Sequence, residues 1–163
     1  MNARILPART AVTALSVTVV ILIVLAAALG CLVHLRSVDK ATERTRVELR
    51  STAGTIVAQV FSVQELTWQA DRTQARKLVG SEFATRHATE LNQAPDGGIR
   101  SITWTPDTVG IIDAAPDHGD VLIRATVRTT PTIGAPEVER RSVTARFDRS
   151  GDRWVLGDLV LVQ

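Results

Sequence analysis

The sequence of 163 residues has no tyrosine, a single cysteine and aromatic side chains at only 4% of its positions. The cysteine, Cys31, lies inside an apolar stretch, so no disulfide can form in the remainder of the chain. Without tyrosine there is no phenolic donor for an oxyanion site, and the histidines are His34, His87 and His118 alone. The chain must therefore be stabilised by packing, and it offers few groups for acid–base catalysis.

The formal charge of +2 arises entirely at the start of the chain. Arg4 and Arg9 precede the apolar stretch, and the residues after it include 17 basic and 17 acidic side chains. A charge-balanced domain lacks the basic surface that binding to nucleic acid requires. We therefore expect no nucleic-acid partner.

The apolar stretch covers residues 10–35, which include no Asp, Glu, Lys or Arg. A membrane span needs about 20 apolar residues, whereas the apolar region of a cleaved signal peptide has only about 7–15. The sequence therefore predicts a transmembrane helix over 10–35, with the bilayer as partner. Gly30-Cys31 is also typical of a lipidation site, but the apolar run continues through Leu35, and lipidation of Cys31 stays open.

The orientation follows from the bias of basic residues toward the cytoplasm. Residues 1–9 form a short basic tail, which is the easier end to retain inside, and long following domains cross largely regardless of charge. We expect a single-pass protein of the cell membrane with a cytoplasmic N-terminus and an extracytoplasmic C-terminal domain.

Helical periodicity dominates the first part of this domain. Ser37–Leu66 is predicted as one helix, with residues 36–48 as a charged stalk and 49–163 as the exported domain. A second helix is predicted from Asp71, as a capping residue with Gln74 three positions later, to Gly80 as a left-handed cap. A third helix is predicted over Ser81–Leu91.

Strand periodicity begins at Ile99. The alternation predicts strands on either side of a bulge at Pro106, a turn at Pro116–Gly119 and a hairpin turn at Ser150–Asp152. Helices followed by antiparallel strands indicate the α+β class. We expect three helices packed on a curved antiparallel sheet of about four strands.

Four stretches of the sequence carry a further signal: Leu66-Thr67-Trp68 leading to Asp71, Leu78–Phe83, Gly110–Asp117 and Asp152–Leu159. In order and spacing they resemble the Mce-associated membrane proteins of actinobacteria, in which one N-terminal span precedes a cystatin-like cone domain, the fold of nuclear transport factor two. The resemblance implies a non-enzymatic accessory protein that assembles, stabilises or docks with an Mce-type lipid import transporter in the cell envelope. Its partners would be Mce subunits or other envelope proteins.

Two alternatives remain open. One is a membrane-tethered cone domain that binds a lipid or catalyses a reaction, with His87 and a facing aspartate (Asp71, Asp113 or Asp158) as an acid–base pair. The other is an assembly subunit of a secretion system.

The candidate site residues form two groups. A ligand cavity in the cone would be lined by Trp68, Phe83, His87, Trp104 and Trp154. A docking face on the outer side of the sheet would contain Arg124, Arg128, Arg146 and Arg153. We predict no catalytic residues and no cofactor. We also predict no metal, since the spacing of His118, Asp117 and Asp120 is not repeated elsewhere.

Overall fold

The structure is a computed structural model that describes residues 39–162. The predicted tail and transmembrane helix, Cys31 and the start of the predicted stalk lie outside the described residues. Within 39–162, no helix combines the length and the apolar character needed to cross a membrane.

The first helix, α1, occupies residues 39–61 of the described part. Its predicted apolar stripe is buried, with Leu49, Ala53 and Val60 at 0% exposure. The prediction that it continues to Leu66 is wrong. After Ser62 the chain is no longer helical. Val63–Gln64 forms a two-residue strand, β1, which pairs with a later strand of the sheet.

The second helix, α2, spans Trp68–Lys77 and so begins three residues before the predicted start. Asp71 does not cap it. Its Oδ2 accepts the backbone N–H of Gln64 at 2.9 Å and the hydroxyl of Thr67 at 3.0 Å, so the carboxylate secures β1 and the intervening turn. A capping box cannot form with this geometry because Asp71 already lies inside the first turn.

Gly80 is not a left-handed cap either. Its φ of −71° and ψ of 159° are extended, and it precedes the third helix, α3, at Ser81–Arg86. Its backbone N–H donates to the carbonyl of Leu156 at 2.8 Å. The predicted third helix is also too long, since a turn and a 3-10 helix at Glu90–Asn92 follow Arg86.

Four long antiparallel strands complete the fold. They are β2 (Ile99–Ala114), β3 (His118–Pro131), β4 (Glu137–Ser150) and β5 (Arg153–Val162), and the sheet order is β1-β2-β3-β4-β5. The predicted irregularity at Pro106 is confirmed as a register shift between Pro106 and Thr108. The predicted turn at Pro116–Gly119 is shorter than expected, because β3 already begins at His118. In the β4–β5 turn, Gly151 adopts a φ of +63°, which favours glycine.

The core lies between α1 and one face of this sheet. Val121, Ile123 and Ala125 alternate along β3 as fully buried residues, and the corresponding residues of β4 are Val143, Ala145 and Phe147. The predicted α+β fold, with helices on one face of a curled antiparallel sheet, is confirmed. The described sheet has five strands rather than about four, because β1 forms within the segment predicted as helix.

The helix α1 meets the sheet at two close approaches. A Cβ at Gly54 would lie 3.0 Å from Cβ of Pro106, and Gly119 faces the side chain of Leu49. The division into a stalk at 36–48 and a domain at 49–163 stays a prediction. In the structure Thr45 is already buried and Glu48 contacts the β4–β5 hairpin.

Candidate functional site: a cavity and an uncovered sheet face

A partly enclosed cavity of about 290 Å³ lies at the end of the core where α1 finishes. It brings together three of the five predicted lining residues, Phe83, His87 and Trp104. The full lining is Val60, Phe61, Arg72, Phe83, His87, Glu90, Leu91, Ile102, Trp104, Val127, Thr129 and Arg141. The described chain thus has a pocket on the side of the sheet that faces α1, although its volume is small for a ligand site.

The wall of this cavity is a row of aromatic rings. Phe61 packs against Trp104 with ring centroids 5.3 Å apart and against Phe83 edge-on at 6.4 Å. His87 stacks on Phe83 at 4.3 Å. Since such pairs stabilise packing beyond their buried area, the row supports the core as well as lining the pocket.

The charged part of the lining comes from α2, the 3-10 helix and β4. The guanidinium of Arg72 donates to the carbonyls of Val60 and Gln93, both at 3.4 Å, and forms no ion pair within the described chain. Burial lowers the pKa of Arg72, and the charges of Asp71 and Glu90 oppose this shift. Arg141 is neutralised by Glu139 at 2.8 Å. The cavity therefore combines an apolar wall with a partly desolvated cation.

His87 does not meet the aspartates with which it was expected to form an acid–base pair. Its Nδ1 lies 3.8 Å from Glu90, too far for a hydrogen bond. Asp71 is held by β1, and Asp158 binds Arg86 at 2.8 Å, a bond that lowers the pKa of Asp158. None of the expected aspartates forms a hydrogen bond with the ring in the described part of the chain. The geometry therefore provides no oriented base at His87.

The two remaining predicted cavity residues lie elsewhere. Trp68 is half-buried at the first turn of α2 and is not among the residues that line the cavity. Trp154 lines a separate groove between α1 and the β4–β5 hairpin, with Ile56, Leu78 and Arg153.

At this groove a three-residue cluster joins α1 to the hairpin, and we call it the Glu48 cluster (Glu48, Arg149 and Trp154). The indole N–H of Trp154 donates to Glu48 at 2.9 Å, and Arg149 forms an ion pair with the same carboxylate. The guanidinium of Arg149 also lies over the Trp154 ring, 4.5 Å from its centroid. The Trp154 hydrogen bond and the charge of Arg149 lower the pKa of Glu48, while burial opposes the shift.

The predicted docking face is divided by the structure. Arg124 and Arg128 alternate along the exposed side of β3, flanking Thr126. Arg146 is directed to an ion pair with Asp148 at 3.4 Å, and Arg153 lies at the hairpin beside Trp154. Neither therefore joins the other two.

Sequence reasoning missed Arg140, which pairs with Thr126 across β3 and β4 and so lies between Arg124 and Arg128. The alternation along β4 predicts this position, because Arg140 and Ser142 are two residues apart and so lie on the same face of the strand. Arg72, by contrast, reaches the cavity only through the tertiary packing of α2, and no local pattern points to it.

His118 is the first residue of β3, and its Nδ1 lies 2.9 Å from the carboxylate of Asp117, a hydrogen bond that lowers the pKa of Asp117. Among residues 39–162 there is no group of three histidine, cysteine or acidic side chains placed to bind a metal. The absence of a metal and of a cofactor stays a prediction.

Comparison with known proteins gives a likeness of fold. No protein-family model matches the sequence, and no curated protein does. The structure resembles an IcmL-like type IV secretion system protein from Legionella pneumophila subsp. pneumophila, with a TM-score of 0.58, 9% identity, and coverage of 72% of this chain and 91% of that one. It also resembles an Ntf2-like protein involved in plasmid conjugation, with a TM-score of 0.50, 14% identity and coverage of 73% of this chain. This chain spans about half (49%) of the second protein.

Proposed function

We propose that this protein is a non-enzymatic, membrane-anchored assembly subunit of an envelope machine of the secretion or conjugation type. The observation that supports this most directly is the fold likeness to the IcmL-like type IV secretion system protein, which extends over 91% of that chain. The second similar structure is itself described as involved in plasmid conjugation. The two neighbours thus favour the secretion alternative over the Mce interpretation.

The arrangement of the chain is consistent with such a role. An apolar run at 10–35 would hold the protein in the membrane, and α1 would lead from it into the domain. In this proposal residues 1–9 are cytoplasmic and the domain meets its partners outside the membrane. The Glu48 cluster then matters for assembly, because it sets the direction of α1 relative to the sheet.

The chemistry of the cavity supports a non-enzymatic role. His87 stacks on Phe83 and has no hydrogen-bonded carboxylate in the described residues, so it cannot be held as a general base in this geometry. The cavity volume of about 290 Å³ is at the lower limit of pockets for drug-sized ligands. A membrane lipid with two acyl chains is larger than such a ligand, which argues against the lipid-carrier alternative.

The Mce interpretation remains the rival proposal, and it depends on the four sequence stretches quoted above. Crosslinking of the full chain in native membranes, followed by identification of the partners by mass spectrometry, distinguishes the two. We expect subunits of a secretion or conjugation machine. Recovery of Mce transporter subunits instead would make the rival correct, and a chain that crosslinks to no envelope protein would contradict both proposals.

Two variants serve as controls for this experiment. Deletion of residues 10–35 should abolish crosslinking to membrane subunits, because the tether is lost. His87→Gln should leave complex formation and the phenotype of the intact protein unchanged, and loss of function in a folded His87→Gln protein that still assembles would favour the enzymatic alternative.

A further inference from the structure

The face of the sheet opposite the core is not covered by the helices of the described chain. The buried residues of β3 and β4 all point to the side that contacts α1, and the opposite side alternates with exposed residues. Several of these are apolar: Leu122 is 43% exposed, Val138 53% and Val160 58%. Polar residues separate these apolar ones, so the face is only partly apolar.

Three arginines lie together on this face, and we call Arg124, Arg128 and Arg140 the arginine triad. Arg124 and Arg128 flank Thr126 on β3, and Arg140 pairs directly with Thr126 from β4. Diagonal neighbours in a sheet are about 7–8 Å apart. Positive charges this close repel one another, so folding stability does not account for the cluster.

No member of the arginine triad forms an ion pair within residues 39–162. Asp107 reaches the middle of the triad, where its carboxylate accepts the hydroxyl of Thr126 at 2.9 Å. Other arginines near the sheet are neutralised, as Arg146 is by Asp148 and Arg86 is by Asp158.

The net charge of the described part does not reveal this cluster of positive charge. Of the 19 basic residues, 16 lie within 39–162, together with all 17 acidic residues, so the described part has a formal charge of −1. A cluster of arginines without ion-pair partners among the described residues, on a slightly acidic domain, is a local feature of one face, which is the pattern expected of electrostatic complementarity to a partner.

We propose that the arginine triad, bordered by Leu122 and Val138, binds an acidic and partly apolar segment of a partner protein. The proposal rests on the proposed assembly function and names the chemistry of the partner. Guanidinium groups match carboxylates through paired, bidentate hydrogen bonds, and the neighbouring leucine and valine supply apolar contact. Val138 lies directly opposite Arg128, so both kinds of contact meet on one surface.

An anionic membrane fits this face less well. Basic residues near a membrane contribute about 1 kcal/mol each, and Asp107 offsets part of the charge of only three arginines. Membrane-surface helices insert tryptophan, phenylalanine and leucine, whereas this face is a strand surface whose exposed apolar residues in the described chain include no tryptophan or phenylalanine. We therefore assign the face to a protein.

The test is site-specific photocrosslinking of the full chain in native membranes, with the crosslinker at position 138 and, for comparison, at position 50 on the exposed side of α1. We expect position 138 to capture a partner peptide that contains at least two acidic residues. That peptide is then synthesised, with and without its acids replaced by amides, and titrated against the intact protein.

Two matched variants decide the result. Arg124→Glu/Arg128→Glu/Arg140→Glu should weaken binding of the peptide by at least about tenfold, and arginine in place of the acids of the peptide should restore it. Arg50→Glu/Arg100→Glu/Arg153→Glu changes the charge equally at exposed positions outside the triad and should leave binding intact. Circular dichroism confirms that both variants fold.

Other outcomes overturn the proposal. The proposal fails if position 138 captures a lipid, a second copy of this chain, a peptide without acids or nothing. It also fails if the two triple variants weaken binding of the peptide equally. If machine subunits crosslink at position 50 alone, the assembly function stands and the docking face is wrong. If position 138 captures an acidic protein that belongs to no envelope complex, the docking face stands and the assembly function is wrong.

Discussion

Substitution of Gly54 by alanine tests the close approach of α1 to β2. A Cβ at this position would lie 3.0 Å from Cβ and 3.2 Å from Cγ of Pro106, and 3.3 Å from Cγ2 of Val109. These distances are shorter than ordinary van der Waals contact between carbons, about 3.5–4.0 Å. The proline ring is rigid and lies at a register shift of β2, so it has little freedom to move away.

Two opposing effects determine whether Gly54→Ala raises or lowers the free energy of unfolding. Alanine in place of glycine inside a helix stabilises by about 1 kcal/mol, whereas overpacking of a close-packed site costs about 1–3 kcal/mol. Because all three contacts are tight, we expect Gly54→Ala to lower the free energy of unfolding by about 1 kcal/mol net. Gly54→Val, with two further methyl groups and a β-branched side chain, should lower it by about 3 kcal/mol.

The measurement is equilibrium unfolding in urea, with the midpoint compared at a constant slope. Thr55→Ala is the control, because Thr55 is exposed on the same helix and should gain a few tenths of a kcal/mol from helix propensity alone. If Gly54→Ala instead stabilises the protein by about 1 kcal/mol, the helix does not approach Pro106 as described and the reasoning is refuted.

Three further substitutions test other parts of the fold. Glu48→Gln should lower the free energy of unfolding by about 1 kcal/mol at neutral pH, a small value because 47% of the Glu48 side chain is exposed. Because the pKa of Glu48 is lowered in the folded state, its contribution to the free energy of unfolding is complete above the ordinary glutamate value of 4.5 and is lost as the pH falls through the lowered value. Chemical denaturation from pH 7 to pH 3 should show the free energies of unfolding of Glu48→Gln and the natural protein converging. A difference that stays constant with pH would contradict this. Phe147→Ala removes a side chain with 0% exposure and should cost about 3–5 kcal/mol, with a loss below about 1 kcal/mol excluding the described core. Gly151→Ala places a side chain at a φ of +63° and should cost about 1 kcal/mol, seen as a lower thermal midpoint; an unchanged midpoint would mean that the turn has another conformation.

The strands of this protein were predictable because their signals are local. Val121, Ile123 and Ala125 alternate with polar residues, and the two-residue period of a strand converts that alternation directly into two faces. The bulge at Pro106 and the turn at Gly151 were predictable for the same reason, since proline cannot donate to a ladder and glycine accepts a positive φ.

The candidate sites were only partly predictable. Phe83, His87 and Trp104 line one cavity, because each lies on the apolar side of its own element; that this cavity holds a ligand stays a prediction. Trp154 was predicted to line the same cavity but faces a different groove, since its indole is bonded to Glu48 in the middle of α1, away from the end of α1 where the cavity lies.

The sequence by itself determined the class of fold, the stripe of α1 and the two faces of β3 and β4, because each follows from the spacing of apolar residues along a single element. Tertiary structure alone decided the use of Gly80, which binds the backbone of Leu156 rather than ending a helix, and the addition of Arg140 to Arg124 and Arg128. The physical reason is that both outcomes depend on contacts between residues far apart in the chain. Periodicity within one segment has no information about which backbone group or which strand register will lie opposite.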